Sequence, residues 1–359
     1  MQTKKNLLGC SLETLEIFFA EINEPKFRAK QILKWIHQKG IIDFDLMTDL
    51  NKDLRKKLNT IAYIKPPIIH EEHISKEGTI KYLIELESGS MIEMVEIPEK
   101  KRRTLCVSSQ AGCALQCTFC ATGAQGFEQN LESNEIIGQL WLSNFYKKNK
   151  KQITNVVFMG MGEPLLNFDA VIESAKIMKD QYAYGLSRKR ITISTSGIVP
   201  NIKKLFNEID VSLAISLHAA DDKLRGEIVP INNKYPINSL IEACKEYLNK
   251  YDNKRTITIE YILIKGVNDS LNHADNLTKI LSSLSCKINL IPFNSFDESD
   301  YERPSNNKIK IFKDYLCSKG YITTLRITRG DEVDGACGQL VGNLTKSVKG
   351  KHLISHKSI

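Results

Sequence analysis

Three cysteines fall within one short stretch, Cys113-Ala-Leu-Gln-Cys117-Thr-Phe-Cys120, with the spacing C-x3-C-x2-C. Thiolates are the usual protein ligands of iron–sulfur clusters. Three on one loop can hold three irons of a cubane and leave the fourth iron an open coordination position. The next cysteine along the chain is Cys244, so no fourth thiol follows nearby. A structural zinc ion is the competing occupant. It wants a fourth thiol or imidazole, and the nearest histidines in sequence are His73 upstream and His218 downstream. Only a distant ligand would close such a site. Two further cysteines stand apart from this group. Cys106 precedes the cluster in an apolar run, and Cys337 sits in the glycine-rich, polar stretch Arg329-Gly-Asp-Glu-Val-Asp-Gly-Ala-Cys337-Gly-Gln-Leu, a setting that favours an accessible, reactive thiol. Cys10, Cys244, Cys286 and Cys317 are expected to be inert buried thiols.

Other polar residues recur at the ends of apolar runs. Val156-Val157-Phe158-Met159 leads into Gly160-Met161-Gly162-Glu163-Pro164, where glycines allow close backbone approach and Glu163 could accept an ammonium group. Later runs end in Ser194-Thr195-Ser196, in Ser216-Leu217-His218 and in Asn294. Each alone reads as a cap or loop residue. Together, with the cysteine loop, they suggest one shared pocket.

The elements that must position these residues alternate strand and helix from about Arg103 onward. The pattern predicts strands over Thr104–Ser109, Asn155–Met159, Ile191–Thr195, Val211–Leu217, Ile257–Ile264, Ile288–Phe293 and Ile322–Ile327. Helices are expected at Asn134–Lys147, Ala170–Lys179, Ile237–Asn249 and Leu271–Leu284. Alternation of this kind implies an α/β fold with a parallel sheet, and six or seven units suit a partial (βα)6-type barrel, whose sites lie at the C-terminal ends of its strands. Before it, residues 1–98 read as a small accessory domain: helices around Leu15, Ile32 and Leu50–Leu58, then a strand pair, Thr79–Leu86 and Met91–Ile97. Residues 99–343 form the barrel domain and residues 344–359 a basic tail.

The 359 residues are 42% hydrophobic and 26% charged, the balance of a folded, water-soluble chain. Acidic residues interrupt the apolar start at Glu13, Glu16 and Glu21, which argues against a signal peptide, and no apolar run is long enough to span a bilayer. A cytoplasmic protein is expected, where cysteines stay reduced. The net charge of +8 suits a polyanionic partner. Candidate contacts are Lys52, Arg55, Lys56 and Lys57, the run Lys100-Lys101-Arg102-Arg103, Lys147 to Lys151, Arg188-Lys189-Arg190, and the tail from Lys346 to Lys357.

The cysteine spacing, with Phe119 between the last two thiols, resembles the radical S-adenosylmethionine (SAM) superfamily. The strings CVSSQAGCALQCTFCATG, GMGEPLLN, ISTSGIVP, AISLHA, KINLIPFN and GACGQL are together similar to the RlmN family of radical-SAM RNA methyltransferases, over about Ile92 to Gly342. The resemblance implies a [4Fe-4S] cluster on Cys113, Cys117 and Cys120, with SAM on the open iron. It assigns Gly162, Glu163, Ser194, Ser216, Leu217, His218 and Asn294 to SAM binding.

It further implies methylation of carbon 2 of an adenosine in the peptidyl transferase centre of 23S rRNA, and in many members of the adenosine 3′ of the anticodon in some tRNAs. Two SAM molecules are used per turnover. Cys337 takes a methyl group from one. After radical activation by the other, that carbon adds to the base and joins enzyme to RNA. Glu93 accepts the carbon-2 proton, and Cys106 releases product by forming a disulfide with Cys337. An external one-electron donor and a thiol reductant complete the cycle, and a monomer is expected.

Three alternatives stand beside this reading. A Cfr-type enzyme would modify carbon 8, but such enzymes generally have alanine where Pro164 follows Glu163. A different radical-SAM enzyme would not need Cys106 and Cys337. A zinc-stabilised RNA-binding protein would have no cluster.

Overall fold

The structure, a computed structural model, describes residues 4–147, 152–251, 255–296, 299–326, 335 and 338–341. The N-terminal part is helical, with α1 (Leu12–Glu21), α2 (Phe27–His37) and α3 (Lys52–Ile61), and a two-residue parallel pairing of β1 (Lys5–Asn6) with β2 (Ala62–Tyr63) closes it. Helix starts follow from capping side chains. Ser11 accepts from the Thr14 N–H ahead of α1, and Asn51 from the Leu54 N–H ahead of α3, each satisfying an orphan donor of a first turn. The apolar stripes of these helices, including Phe19, Ile32, Leu33 and Leu54, join the main core.

Three antiparallel strands come next: β3 (Ile68–Ile74), β4 (Ile80–Glu85) and β5 (Met91–Pro98). The sequence pattern predicts the last two. It misses β3, an edge strand carrying His70, Glu71, Glu72 and His73, whose polar side chains hide a β alternation. β5 pairs antiparallel with β6 (Arg103–Cys106), which starts the parallel part, so one sheet of ten strands runs continuously through both regions.

β6 is shorter than the expected Thr104–Ser109 strand. Beyond Cys106 the chain leaves the ladder because Gln139 and the loop after Phe158 take its N–H groups: Ser108 donates to Gln139 Oε1 and Ser109 to the Met161 carbonyl. It then enters β7 (Gln110–Gly112), which pairs antiparallel with β8 (Phe127–Asn130) around the short helix α4 (Ala121–Gln125). The cysteine loop lies between β7 and α4.

The remaining units alternate as predicted. They are α5 (Ser133–Phe145), β9 (Asn155–Phe158), α6 (Phe168–Lys179), β10 (Ile191–Thr195), α7 (Val199–Glu208), β11 (Ser212–Ser216), α8 (Asp222–Ile228) and α9 (Ile237–Lys250). The chain continues through β12 (Ile257–Leu263), α10 (Leu271–Leu281), β13 (Cys286–Pro292), α11 (Asn306–Ser318) and β14 (Thr323–Leu325). Strands pair parallel in the order β6, β9, β10, β11, β12, β13, β14. Among the described residues β14 does not return to β6, so the arc is open: a partial barrel, as expected. Its strands are buried by helices, which is why they read as near-continuous apolar runs. No helix among the described residues is long and apolar enough to cross a membrane.

Two sequence expectations need correction. Cys317 is exposed rather than buried, because the apolar stripe of α11 runs through Ile309, Phe312 and Leu316 and turns Cys317 to solvent. Cys286, at the start of β13, is only partly buried. Cys337, residues 148–151 of the lysine-rich stretch and the tail 344–359 lie outside the described residues.

Candidate active site

The cluster loop and the C-terminal ends of β9, β10, β11 and β12 enclose one cavity of about 970 Å³, its mouth included. Cys113, Cys117 and Cys120 line one part of it. Gly162, Glu163, Ser194, Ser216 and His218 line another. Eight of the residues singled out by sequence are thus brought to one space. Leu217 and Asn294 are buried but are not among the lining residues.

Each wall residue is held by its neighbours. Gly162 has φ +93°, and a Cβ there would lie 2.5 Å from Gln110 Cβ, so glycine is required by the packing of this turn against β7. Gln110 Oε1 in turn accepts from the Glu163 N–H at 2.8 Å. Glu163 is buried, and its carboxylate accepts the Leu165 N–H at 3.0 Å and the Ser196 N–H at 2.8 Å, tying the loop after β9 to the end of β10. Burial pushes its pKa up, and these hydrogen bonds oppose the shift. An arriving ammonium would stabilise the charged form further.

His218 adopts a left-handed backbone, φ +64°, unusual for a residue with a side chain. Asn268 fixes it: its side-chain amide donates to the His218 and Ile262 carbonyls and accepts the Ile264 N–H. His218 Nδ1 accepts the Ile262 N–H at 3.1 Å, and its ring packs edge-on against Phe119 at 4.8 Å. Burial lowers its pKa to about 3, so the ring is neutral near pH 7.

Burial pushes Cys113 up to about 12 and Cys117 well above the ordinary thiol range, and each feels its neighbour thiols in the same direction. Buried thiols that are costly to ionise alone suit a cationic partner. Among the described residues, no group of three or more His, Cys, Asp or Glu side chains is close enough to hold one metal ion. All three thiols line the cavity, and thiolates are the usual donors to an iron–sulfur group.

Sequence reasoning missed four residues here. Arg225, on α8, is fully buried and donates to the carbonyls of Leu217 (2.9 Å), Ser196 (2.6 Å) and Ser216 (3.1 Å), and to Asn232 Oδ1 (2.8 Å). It joins the ends of β10 and β11. Glu260 and Arg326 also line the cavity, and Glu260 accepts from Asn289 Nδ2 at 2.7 Å. A carboxylate inside the apolar run Ile257-Thr-Ile-Glu260-Tyr-Ile-Leu was a usable signal. Lys81, in Thr79-Ile-Lys81-Tyr, was not.

Glu93 lies on β5 outside the cavity lining and is 3% exposed. Its Oε1 pairs with Lys81 Nζ at 3.0 Å and its Oε2 accepts the Val341 N–H at 3.0 Å. Glu96, on the other strand face, pairs with Arg103. The segment containing Val341 follows Cys337 and bonds the first turn of α4, just after the cluster loop. Gly338 O accepts from the Ala121 N–H, Leu340 O from Thr122 Oγ1, and Gln339 Nε2 donates to Ser295 O. Cys106 is buried in β6, in register with Val95 of β5, and no disulfide joins any two of the eight described cysteines.

Among the basic candidates, Arg102 and Arg103 pair with Glu99 and Glu96, and Lys147 pairs with Glu72. Arg188 to Arg190 precede β10, at the end of the barrel opposite the cavity. Lys52, Lys56 and Lys57 are exposed on α3.

An open parallel barrel with a three-cysteine loop at the strand C-termini defines the radical-SAM class, and residues 107–277 match the radical SAM superfamily profile. Residues 5–64 match the ribosomal RNA large subunit methyltransferase N-terminal domain. Over 346 residues, 95% of this chain and 91% of the relative, the chain is 54% identical to the dual-specificity RNA methyltransferase RlmN of Pseudomonas putida, and 52% identical over the same spans to that of Pseudomonas fluorescens. A crystal structure of a radical SAM methyltransferase from Sphaerobacter thermophilus superposes with a TM-score of 0.88 at 39% identity, covering 94% of this chain and 100% of that one. The chain belongs to the RlmN family.

Proposed function

We propose that this chain methylates carbon 2 of an adenosine in 23S rRNA and of the adenosine 3′ of the anticodon in some tRNAs. The observation that carries the reading is the meeting of three groups. The segment following Cys337 links the other two: Gly338 and Leu340 bond the first turn of α4 beside the thiol-lined cavity, and Val341 bonds the Glu93 carboxylate.

In this reading Cys113, Cys117 and Cys120 hold a [4Fe-4S] cluster, and Glu163, Ser194, Ser216 and Asn294 bind SAM beside it. Gly162, Leu217 and His218 shape the same pocket through their backbone and ring. Cluster and SAM, when bound, supply one-electron chemistry and the methyl group. Cys337 carries the methyl carbon to the base. Glu93 takes the carbon-2 proton on a carboxylate oxygen, and Cys106 attacks the sulfur of Cys337; the sulfur–carbon bond breaks, the departing carbon takes up a proton to become the methyl group, and the two cysteines are left as a disulfide. The buried setting of Glu93 and Cys106 keeps water from both. An external one-electron donor and a thiol reductant serve the cycle, and the enzyme works as a cytoplasmic monomer. Residues 1–98 and the tail 344–359 serve as RNA-contacting extensions of the barrel domain, 99–343. An adenine in structured RNA must leave its stack to reach the cavity.

The test is anaerobic reconstitution with isotopically labelled SAM, an rRNA fragment and a tRNA, followed by mass spectrometry of nucleosides. The expected product is 2-methyladenosine, abolished by Cys337→Ala. An 8-methyladenosine product, or turnover retained in Cys337→Ala, overturns the proposal.

A further inference from the structure

A lysine inside a buried β-strand calls for an explanation. Lys81 lies in β4 between Ile80 and Tyr82, and it is 5% exposed. Its long stem could have carried the ammonium to solvent. Instead Nζ sits 3.0 Å from Glu93 Oε1, with both side chains almost wholly buried. The register explains the meeting. Lys81 pairs with Val95, and Leu83 pairs with Glu93, so Lys81 and Glu93 are diagonal neighbours on one face of the β4–β5 ladder. Val95 pairs onward with Cys106, so Cys106 lies in the same cross-strand row as Lys81.

Ion pairing is a poor way to stabilise such a position. A well-packed apolar pair usually does as well or better, because both charges must be stripped of water. The pair therefore points to chemistry. A buried carboxylate without a counter-charge tends to take up a proton, and a protonated carboxyl cannot accept another. Glu93 has few other supports: its N–H faces Met161 Sδ and its carbonyl accepts from Ser108 Oγ, neither of which touches the carboxylate. Among the described residues, its second oxygen takes a neutral backbone N–H, that of Val341.

We propose that Lys81 is a positioning residue for proton removal: its ammonium supplies the counter-charge to the buried Glu93 carboxylate and aims it, between β4 and the Val341 segment, at the base being methylated. The inference rests on the proposed role of Glu93. In the step it serves, the carbon-2 C–H bond breaks with its electron pair left on the ring, and the proton forms an O–H bond on the Glu93 carboxylate. Lys81 keeps its own protons throughout. Each carboxylate oxygen has a second lone pair, so the two contacts leave room for the incoming proton.

The test compares Lys81→Met, Lys81→Arg and Glu93→Gln in the reconstituted enzyme, using substrate RNA with hydrogen or deuterium at carbon 2 of the target adenine. Lys81→Met should lower kcat at least about tenfold, within the range that acid–base catalysis contributes, with little change in KM for RNA. It should also raise the isotope effect above that of the wild type and let the covalent enzyme–RNA species accumulate on denaturing gels. Lys81→Arg should restore most of the rate. A merely structural role would slow both isotopologues equally and build up no adduct.

If Glu93→Gln turns over normally, the role of Glu93 fails and this inference with it. If Glu93→Gln is inactive while Lys81→Met keeps the wild-type isotope effect and forms no excess adduct, the inference about Lys81 alone is overturned. Should Lys81→Met not fold, as judged by circular dichroism, Lys81→Gln is read by the same criteria.

Discussion

Arg225 illustrates how one side chain can set a whole wall. Its guanidinium is buried, and burial lowers its pKa to about 10. It stays charged near pH 7 while spreading its donors over three carbonyls and one amide oxygen. Lysine cannot reproduce this planar fork from a single nitrogen. Removing the group strands several buried acceptors, each costing about 1–3 kcal/mol when left unsatisfied. Relaxation will recover part of that cost. Arg225→Met is expected to lower stability by about 3 kcal/mol, and Arg225→Lys by a smaller but measurable amount, both read from denaturant midpoints of the apoprotein. Because Arg225 ties the carbonyls of Ser196, Ser216 and Leu217 together, both variants should also weaken SAM binding measured by calorimetry. An Arg225→Met protein as stable as the wild type would show that these bonds do not hold the strand ends.

At the scale of elements, α5 joins the N-terminal helices to the barrel. Trp141 Nε1 donates to Ile36 O, and Ser133 Oγ to Gly9 O. Another close approach is at Gly138, where an added Cβ would lie 2.3 Å from Cδ of Pro67. Two effects compete in Gly138→Ala. Helix propensity favours alanine by about 1 kcal/mol. Overpacking against a rigid proline ring costs about 1–3 kcal/mol, and the contact is short enough for the cost to win. A lower thermal midpoint is expected for Gly138→Ala; a raised one would mean that Pro67 yields easily. The same closeness makes the N-terminal part and the barrel share a continuous core, with Leu8, Ile36 and Leu140 in one cluster.

Across the whole molecule, the surface charge is the feature that should govern RNA affinity. The chain carries a net +8, and the exposed lysines of α3 belong to it, whereas Arg102, Arg103 and Lys147 are engaged with carboxylates. If several lysines neutralise phosphates, log affinity should fall linearly with log salt, by about 0.7–0.9 for each phosphate contacted. Filter binding between low and physiological salt checks this. A flat dependence would assign recognition to uncharged contacts. Replacing Lys52, Lys56 and Lys57 with glutamine should reduce the slope if α3 faces RNA, and leave it unchanged if that helix does not.

The sequence by itself determined what is local. Cysteine spacing marked the thiol loop, period-two and period-3.6 patterns marked most strands and helices, and polar residues after apolar runs marked Glu163, Ser194, Thr195, Ser196, Ser216 and His218 of the cavity wall. These signals sit within a few residues of one another, so spacing preserves them. Tertiary structure decided what depends on register and burial. That Lys81 meets Glu93 follows from how β4 slides against β5, and a lysine in an alternating strand looks the same whether it faces water or a carboxylate. Nothing local distinguishes Arg225 from a helix-surface charge; its burial follows from α8 packing against the ends of β10 and β11. Cys317 looked like an ordinary buried thiol until the apolar stripe of α11 chose another face. In each case the chain specifies the residue, but the free energy of its charge or thiol is set by neighbours tens of residues away.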